Sequence, residues 1–145
     1  DKEPLFVAVL NGAFVFASDL LRALQDIRCE VTFIRVSSYY GMASTGQLEF
    51  IVPLQQVVDQ RDVIIIEDIV DTGLTIHQLK AHMRAQGATS VRVATMLFKP
   101  NKLEYDDAKP DYIGREMTDE FVIGYGLDFD GFVRNLDAIY KVTDE

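Results

Sequence analysis

A single cysteine, Cys29, excludes an internal disulfide and any cysteine-rich zinc site. Histidine is nearly as scarce. His77 and His82 are five residues apart, neither of the helical spacings that aim two ligands at one metal, so both read as ordinary helix-surface residues. Basic residues are outnumbered by acids, 14 to 23, and the net charge of −9 argues against a general nucleic-acid-binding surface. The sequence shows neither a long apolar span nor a signal-peptide pattern, so a cytoplasmic enzyme with no membrane contact is the expectation. A Walker P-loop and a Rossmann GxGxxG are also missing, which leaves ATP hydrolysis and dinucleotide binding without support. No repeat, linker or domain boundary interrupts the 145 residues, of which 48% are hydrophobic, and a single domain over 1–145 is expected.

Against these absences, the stretch Arg61–Ile76 (RDVIIIEDIVDTGLTI) stands out. Val63-Ile64-Ile65-Ile66 is the unbroken β-branched run of a strand buried on both faces of a parallel sheet. Acids follow where that strand is expected to end, at Glu67 and Asp68, and again at Asp71. The short polar turn Asp71-Thr72-Gly73-Leu74-Thr75 comes next, and Thr75-Ile76-His77-Gln78 has the spacing of a capping box, which predicts a helix from Thr75. In an open α/β sheet, ligands bind beyond the carboxyl ends of the strands. A turn entering a helix there offers N–H groups and two hydroxyls to a phosphate, with carboxylates alongside for sugar hydroxyls or a cation. The combination suits a phosphorylated sugar. An acidic chain with a polyanionic substrate needs a cation to mediate, and the carboxylates suit Mg²⁺, which prefers oxygen ligands and often arrives with phosphates.

This stretch resembles the phosphoribosyl-pyrophosphate (PRPP) signature of the type I phosphoribosyltransferase family, in the form found in its hypoxanthine-guanine branch. The resemblance implies an α/β fold: a central, mostly parallel sheet flanked by helices, with a small hood subdomain. Against the family pattern, an N-terminal segment of a few dozen residues is expected to be missing from this sequence, and the hood to be truncated there. The implied reaction is purine salvage, transfer of the phosphoribosyl group from PRPP to a 6-oxopurine with release of pyrophosphate. Relatives act with Mg²⁺ as homodimers or homotetramers.

Along the chain, Leu5–Leu10 (LFVAVL) reads as a buried strand, followed by a tight turn at Asn11-Gly12-Ala13 and a helix burying Phe14, Ala17, Leu21 and Leu24 on one face. The resemblance makes Asn11 and Gly12 the pyrophosphate corner, with a cis Leu10-Asn11 peptide. Many relatives carry lysine where Asn11 stands. Cys29–Ser37 reads as a strand, and Leu48–Val52 as another. Between them Ser38-Tyr39 and Ser44-Thr45-Gly46 resemble the family's lid loop, which shields an oxocarbenium-like centre from water. Val91–Phe98 is a further strand, ending at Lys99.

By the same resemblance Lys99 meets the purine 6-oxo group, Phe121 stacks on the ring, and the backbone of Val122 reads its edge. Asp128 supports the base pocket and a metal-bound water, and Arg134 reaches pyrophosphate. Asp71 to Thr75 hold the 5′-phosphate, Glu67 and Asp68 orient the ribose hydroxyls and the metal shell, and Asp71 is the general base. Asp111–Met117 and Phe121–Tyr125 read as short strands, and Leu136–Val142 is left as either a helix turn or a strand. Two rivals carry different expectations. A regulatory PRPP-binding protein needs a basic nucleic-acid surface, and an aspartate-dependent phosphatase leaves the Gly73-Leu74-Thr75 turn unexplained. Among enzymes, adenine- and orotate-specific relatives fit less well than a 6-oxopurine enzyme because of Lys99 and Phe121-Val122.

Overall fold

The computed structural model describes residues 2–38, the side chain of Ser38 excepted, and residues 48–144. Tyr39 and Ser44-Thr45-Gly46, expected in the lid, lie outside the described residues, as does the side chain of Ser38.

Strands β1 (Leu5–Leu10), β2 (Glu30–Ser38), β3 (Leu48–Val52), β4 (Asp62–Val70), β5 (Ser90–Phe98) and β6 (Tyr112–Glu116) form one sheet in the order β3-β2-β1-β4-β5-β6. Every neighbouring pair is parallel except β2 with β3, at the edge, where the register shifts between Arg35 and Val36. Among the described residues two α-helices connect strands, α1 (Phe14–Ala23) and α2 (Leu74–Ala85). A second, two-stranded antiparallel sheet pairs β7 (Val122–Ile123) with β8 (Tyr140–Lys141), so the Leu136–Val142 segment contributes a strand.

The alternation of side chains along β1 explains why its sequence is apolar without interruption. Leu5, Val7 and Val9 pack with Ile76, Leu79 and Met83 of α2, whereas Phe6 and Ala8 pack with Ala13 and Ala17 beside α1. The two helices therefore cover opposite faces, and the strand between them is buried on both. In the strand order, β1 and β4 flank the point where the chain reverses direction across the sheet, and a crevice opens beyond their carboxyl ends. Both polar turns singled out above lie there, Asn11-Gly12-Ala13 after β1 and Asp71-Thr72-Gly73 after β4.

Three local expectations change. β4 does not stop at the acids: it continues through Glu67 and Asp68 to Val70, held by pairing of Ile69 with Leu97 and Val70 with Phe98. Helix α2 starts at Leu74 rather than Thr75, because Gly73 (φ +88°) takes the N-cap position without any side-chain cap, which leaves Thr75 inside the first turn. Phe14 is 42% exposed, and Phe16 and Leu20 pack on the α1 side in its place. Helix α2 stops at Ala85, with Gly87 left-handed (φ +92°) just past the Gln86 cap. His77 is more engaged than a bare surface residue, since its Nδ1 lies 2.8 Å from Asp107 Oδ1 and its ring stacks on Tyr105 at 4.6 Å. Among the described residues no helix is long and apolar enough to cross a membrane.

Candidate functional site

Residues Glu67 to Ile76, with Val9 and Val36, enclose a cavity of about 270 Å³ at the ends of β1, β2 and β4. A larger hollow of about 520 Å³ lies by β6, β7 and β8, lined by Arg115, Glu116, Glu120 and Lys141 among others. We place the chemistry in the smaller one because a helix N-terminus, a glycine turn and consecutive carboxylates converge on it.

The floor of the cavity is the turn between β4 and α2. The Leu74 N–H donates to Thr72 Oγ1 at 3.3 Å, and the helical ladder begins with the His77 N–H to the Gly73 carbonyl at 2.8 Å. The first-turn amides are thereby left to partners outside the helix ladder, the arrangement that suits an anion. The turn is braced from behind. The Glu104 N–H donates to the Thr72 carbonyl at 2.9 Å, and buried Lys80 donates to the Asp107 carbonyl at 2.7 Å. That fixes the short 3₁₀ turn Asp106–Ala108 against α2.

One wall is carboxylate. Asp68 Oδ1 accepts the Ile69 N–H at 2.7 Å, and Glu67 Oε1 accepts the Asp68 N–H at 3.1 Å. Burial first, and then the neighbouring Asp68, pushes the Glu67 carboxyl well above the usual carboxylate range. A group whose pKa is higher folded than unfolded costs stability as pH rises from the ordinary carboxylate range toward the raised value, and costs nothing below that range. Glu67→Gln is therefore expected to raise the thermal midpoint of the ligand-free protein by a few degrees at neutral pH. The gain should vanish on acidification. A midpoint that is unchanged, or lower, at neutral pH would show that the buried carboxyl is already compensated.

Opposite this wall stands the β1–α1 turn. Asn11 is exposed, Gly12 is buried, and the Leu10-Asn11 peptide is cis, as the resemblance implied. A Cβ on Gly12 would sit 1.8 Å from Asp68 Oδ2, so the Asp68 carboxylate lies directly against this corner. On the far side Gly126 (φ +98°) approaches so closely that its own Cβ would come 2.3 Å from the Gly12 carbonyl. Arg134 joins this group by donating to the Gly126 carbonyl at 2.8 Å and lying 3.6 Å from Asp128 Oδ2. Asp128 also accepts the Gly131 N–H at 3.0 Å.

The base-side residues lie along the next edge. Lys99 follows β5, nearly buried, with its Nζ 3.7 Å from Asp119. Phe121 is 54% exposed and meets Phe129 edge-on at 6.0 Å, while Val122 opens β7. Two residues that the sequence reading passed over sit among these: Lys102, 3.9 Å from Asp71 Oδ2, and Asp119, which bridges Lys99 and Lys102. The signal available in the sequence was thin, a second lysine three residues after Lys99 at the same sheet edge.

Among the described residues no three His, Cys, Asp or Glu side chains converge as a metal cage. The donor set nevertheless fits Mg²⁺. That ion is usually held by one or two carboxylates with substrate oxygens and water completing its shell, and the adjoining Glu67 and Asp68 side chains at the crevice can supply them.

Residues 1–130 match the family model described as phosphoribosyl transferase domain. A hypoxanthine-guanine phosphoribosyltransferase of Staphylococcus epidermidis is 38% identical over 147 residues, covering 100% of this chain and 80% of that protein. Its counterpart in Staphylococcus aureus is 39% identical over 146 residues, covering 99% and 80%. Among solved structures, a hypoxanthine phosphoribosyltransferase from Staphylococcus aureus superposes with a TM-score of 0.91 at 36% identity, covering 98% of this chain and 77% of the other. The Trypanosoma cruzi hypoxanthine phosphoribosyltransferase in complex with the product IMP gives 0.89 at 34% identity, covering 98% and 76%.

Proposed function

The chain belongs to the phosphoribosyl transferase family, and from that premise we propose that it transfers the 5-phosphoribosyl group of PRPP to N9 of hypoxanthine, guanine or both. The products are IMP or GMP and pyrophosphate. The observation that carries this reading is the cavity at the β1/β4 crevice, lined by Asp68 and the 71–75 turn, with the Asp68 carboxylate lying against the Gly12 corner.

In this reading the amides of residues 71–75, with the Thr72 and Thr75 hydroxyls, hold the 5′-phosphate. Glu67 and Asp68 orient the ribose hydroxyls. Asn11, Gly12 and Arg134 take the pyrophosphate end. Lys99 faces O6, Phe121 stacks on the ring, and the Val122 backbone and Asp128 line the base. The C1′–pyrophosphate bond breaks as N9 bonds to C1′, and the N7 proton passes to Asp71. An ammonium at O6 stabilises the electron density displaced onto that oxygen during attack, so Lys99 selects a 6-oxo over a 6-amino purine. Mg²⁺, held through Glu67 and Asp68 and, by way of water, Asp128, would neutralise charge on the departing pyrophosphate. The protein acts as a homodimer or homotetramer, in the cytoplasm.

A spectrophotometric assay with PRPP and Mg²⁺ tests the reading, with hypoxanthine, guanine, xanthine and adenine supplied in turn. Turnover is expected with hypoxanthine, guanine or both, and none above background with adenine. Turnover with adenine alone, or with no base at all, would overturn it.

A further inference from the structure

Four charged side chains from three segments form an alternating row along the base-side edge. Lys102 closes the 3₁₀ turn Pro100–Lys102, and its Nζ lies 2.7 Å from Asp119 Oδ1 and 3.9 Å from Asp71 Oδ2. The same Asp119 oxygen lies 3.7 Å from Lys99 Nζ. The order is therefore Asp71, Lys102, Asp119, Lys99, from the turn after β4 to the strand end after β5.

We propose that Lys102 is a positioning residue for Asp71, and that Asp119 is the anchor that holds Lys102 in place and shares itself with Lys99 while the base pocket is empty. The inference rests on the reading that Asp71 accepts the purine N7 proton. It adds a role for two residues to which that reading gives none.

The distances separate the two contacts of Asp119. At 2.7 Å the bond from Lys102 is a full charge-assisted hydrogen bond, whereas Lys99 at 3.7 Å is held only by charge. Lys99 is thus the partner more easily surrendered to an incoming carbonyl oxygen, and Lys102 the one retained. The titration directions agree with the close pair: the hydrogen bond to Lys102 lowers the Asp119 pKa, and the hydrogen bond to Asp119 raises that of Lys102.

Among the described residues, Lys102 is the one cation within ion-pair distance of Asp71. Asp71 needs a restraint of this kind. It is the first residue past β4, its side chain is 41% exposed, and a general base acts only within hydrogen-bond reach of its proton. An ammonium on one side of the carboxylate limits its rotamers. The side chains of Asp119 and Lys102 are 73% and 40% exposed, and ion pairs so placed add little to folding stability. If the row matters, it matters through the geometry of the reacting atoms, and its variants should fold.

The test is steady-state kinetics with PRPP and hypoxanthine or guanine on the wild-type chain, Lys102→Met, Lys102→Arg, Asp119→Asn, Asp71→Asn and the Lys102→Met/Asp71→Asn pair. Lys102→Met is expected to lower kcat roughly tenfold, since a misplaced base forfeits part of its contribution. The KM for PRPP should stay within about twofold, Lys102→Arg should recover most of the loss, and Asp119→Asn should lose less in the same direction. In the Asp71→Asn background Lys102→Met should change nothing further, because there is no base left to place. A wild-type kcat for Lys102→Met overturns the proposal, as does the same fractional loss without Asp71, or a raised PRPP KM with kcat intact. Thermal midpoints close to the wild type show that folding is not at issue. Absence of transfer by the wild-type chain would instead sink the functional reading, so the two failures are distinguishable.

Discussion

Asp71→Asn is expected to cut kcat by about 10²–10⁴-fold, the usual worth of a positioned general base, while PRPP binds nearly as before. The asymmetry follows from where Asp71 sits. In the proposed reading its backbone belongs to the turn that receives the phosphate, and asparagine leaves that backbone unchanged. Only the carboxylate proposed to accept the N7 proton is lost, and that interaction would be made in the transition state rather than in the ground state. Steady-state kinetics combined with calorimetric titration of PRPP separate the two quantities. Equal losses in kcat and PRPP affinity would instead make Asp71 a binding residue.

Gly73→Ala should do the reverse, disturbing binding and folding together. At φ +88° an alanine is strained, and its Cβ would sit 2.6 Å from Ala108 Cβ and 3.0 Å from Leu103 Cδ1. Ala108 cannot retreat. It is fully buried, and the turn carrying it is tied to α2 through Lys80 and His77. Left-handed strain and overpacking together are expected to cost about 2–4 kcal/mol, and the KM for PRPP should rise as the turn shifts. Gly73→Asn separates the two causes. Asparagine tolerates the dihedral but meets the same wall, so it should be no better than alanine if packing dominates. Thermal denaturation and PRPP titration of both variants decide between the causes, and unchanged values in both would mean the turn has slack that the contacts above deny.

How much of this was legible in the sequence depends on what each residue was responding to. β1 could be read residue for residue, because both of its faces are buried and its pattern needs no knowledge of partners. The end of β4 could not. Glu67 and Asp68 look like a strand terminus, yet pairing with β5 carries the strand on to Val70, and the acids are there because that stretch borders a polar crevice. The start of α2 was set one residue late for a similar reason: Thr75 has a capping spacing, but Gly73 alone can take the left-handed bend against Ala108. The motifs around Gly12, Asp71, Lys99 and Phe121 could be picked out because each is a local stretch that resembles the family's. The Asp71–Lys102–Asp119–Lys99 row was not, since it exists only once two separate loops fold over the same edge.

The approach of Gly126 to Gly12 has a further consequence. Main chain rests on main chain there, with the Phe14 ring alongside. A ligand that moves either turn must move the other with it, so in the proposed reading any effect of a ligand at the diphosphate end on binding at the aromatic end is expected to be returned by the same factor.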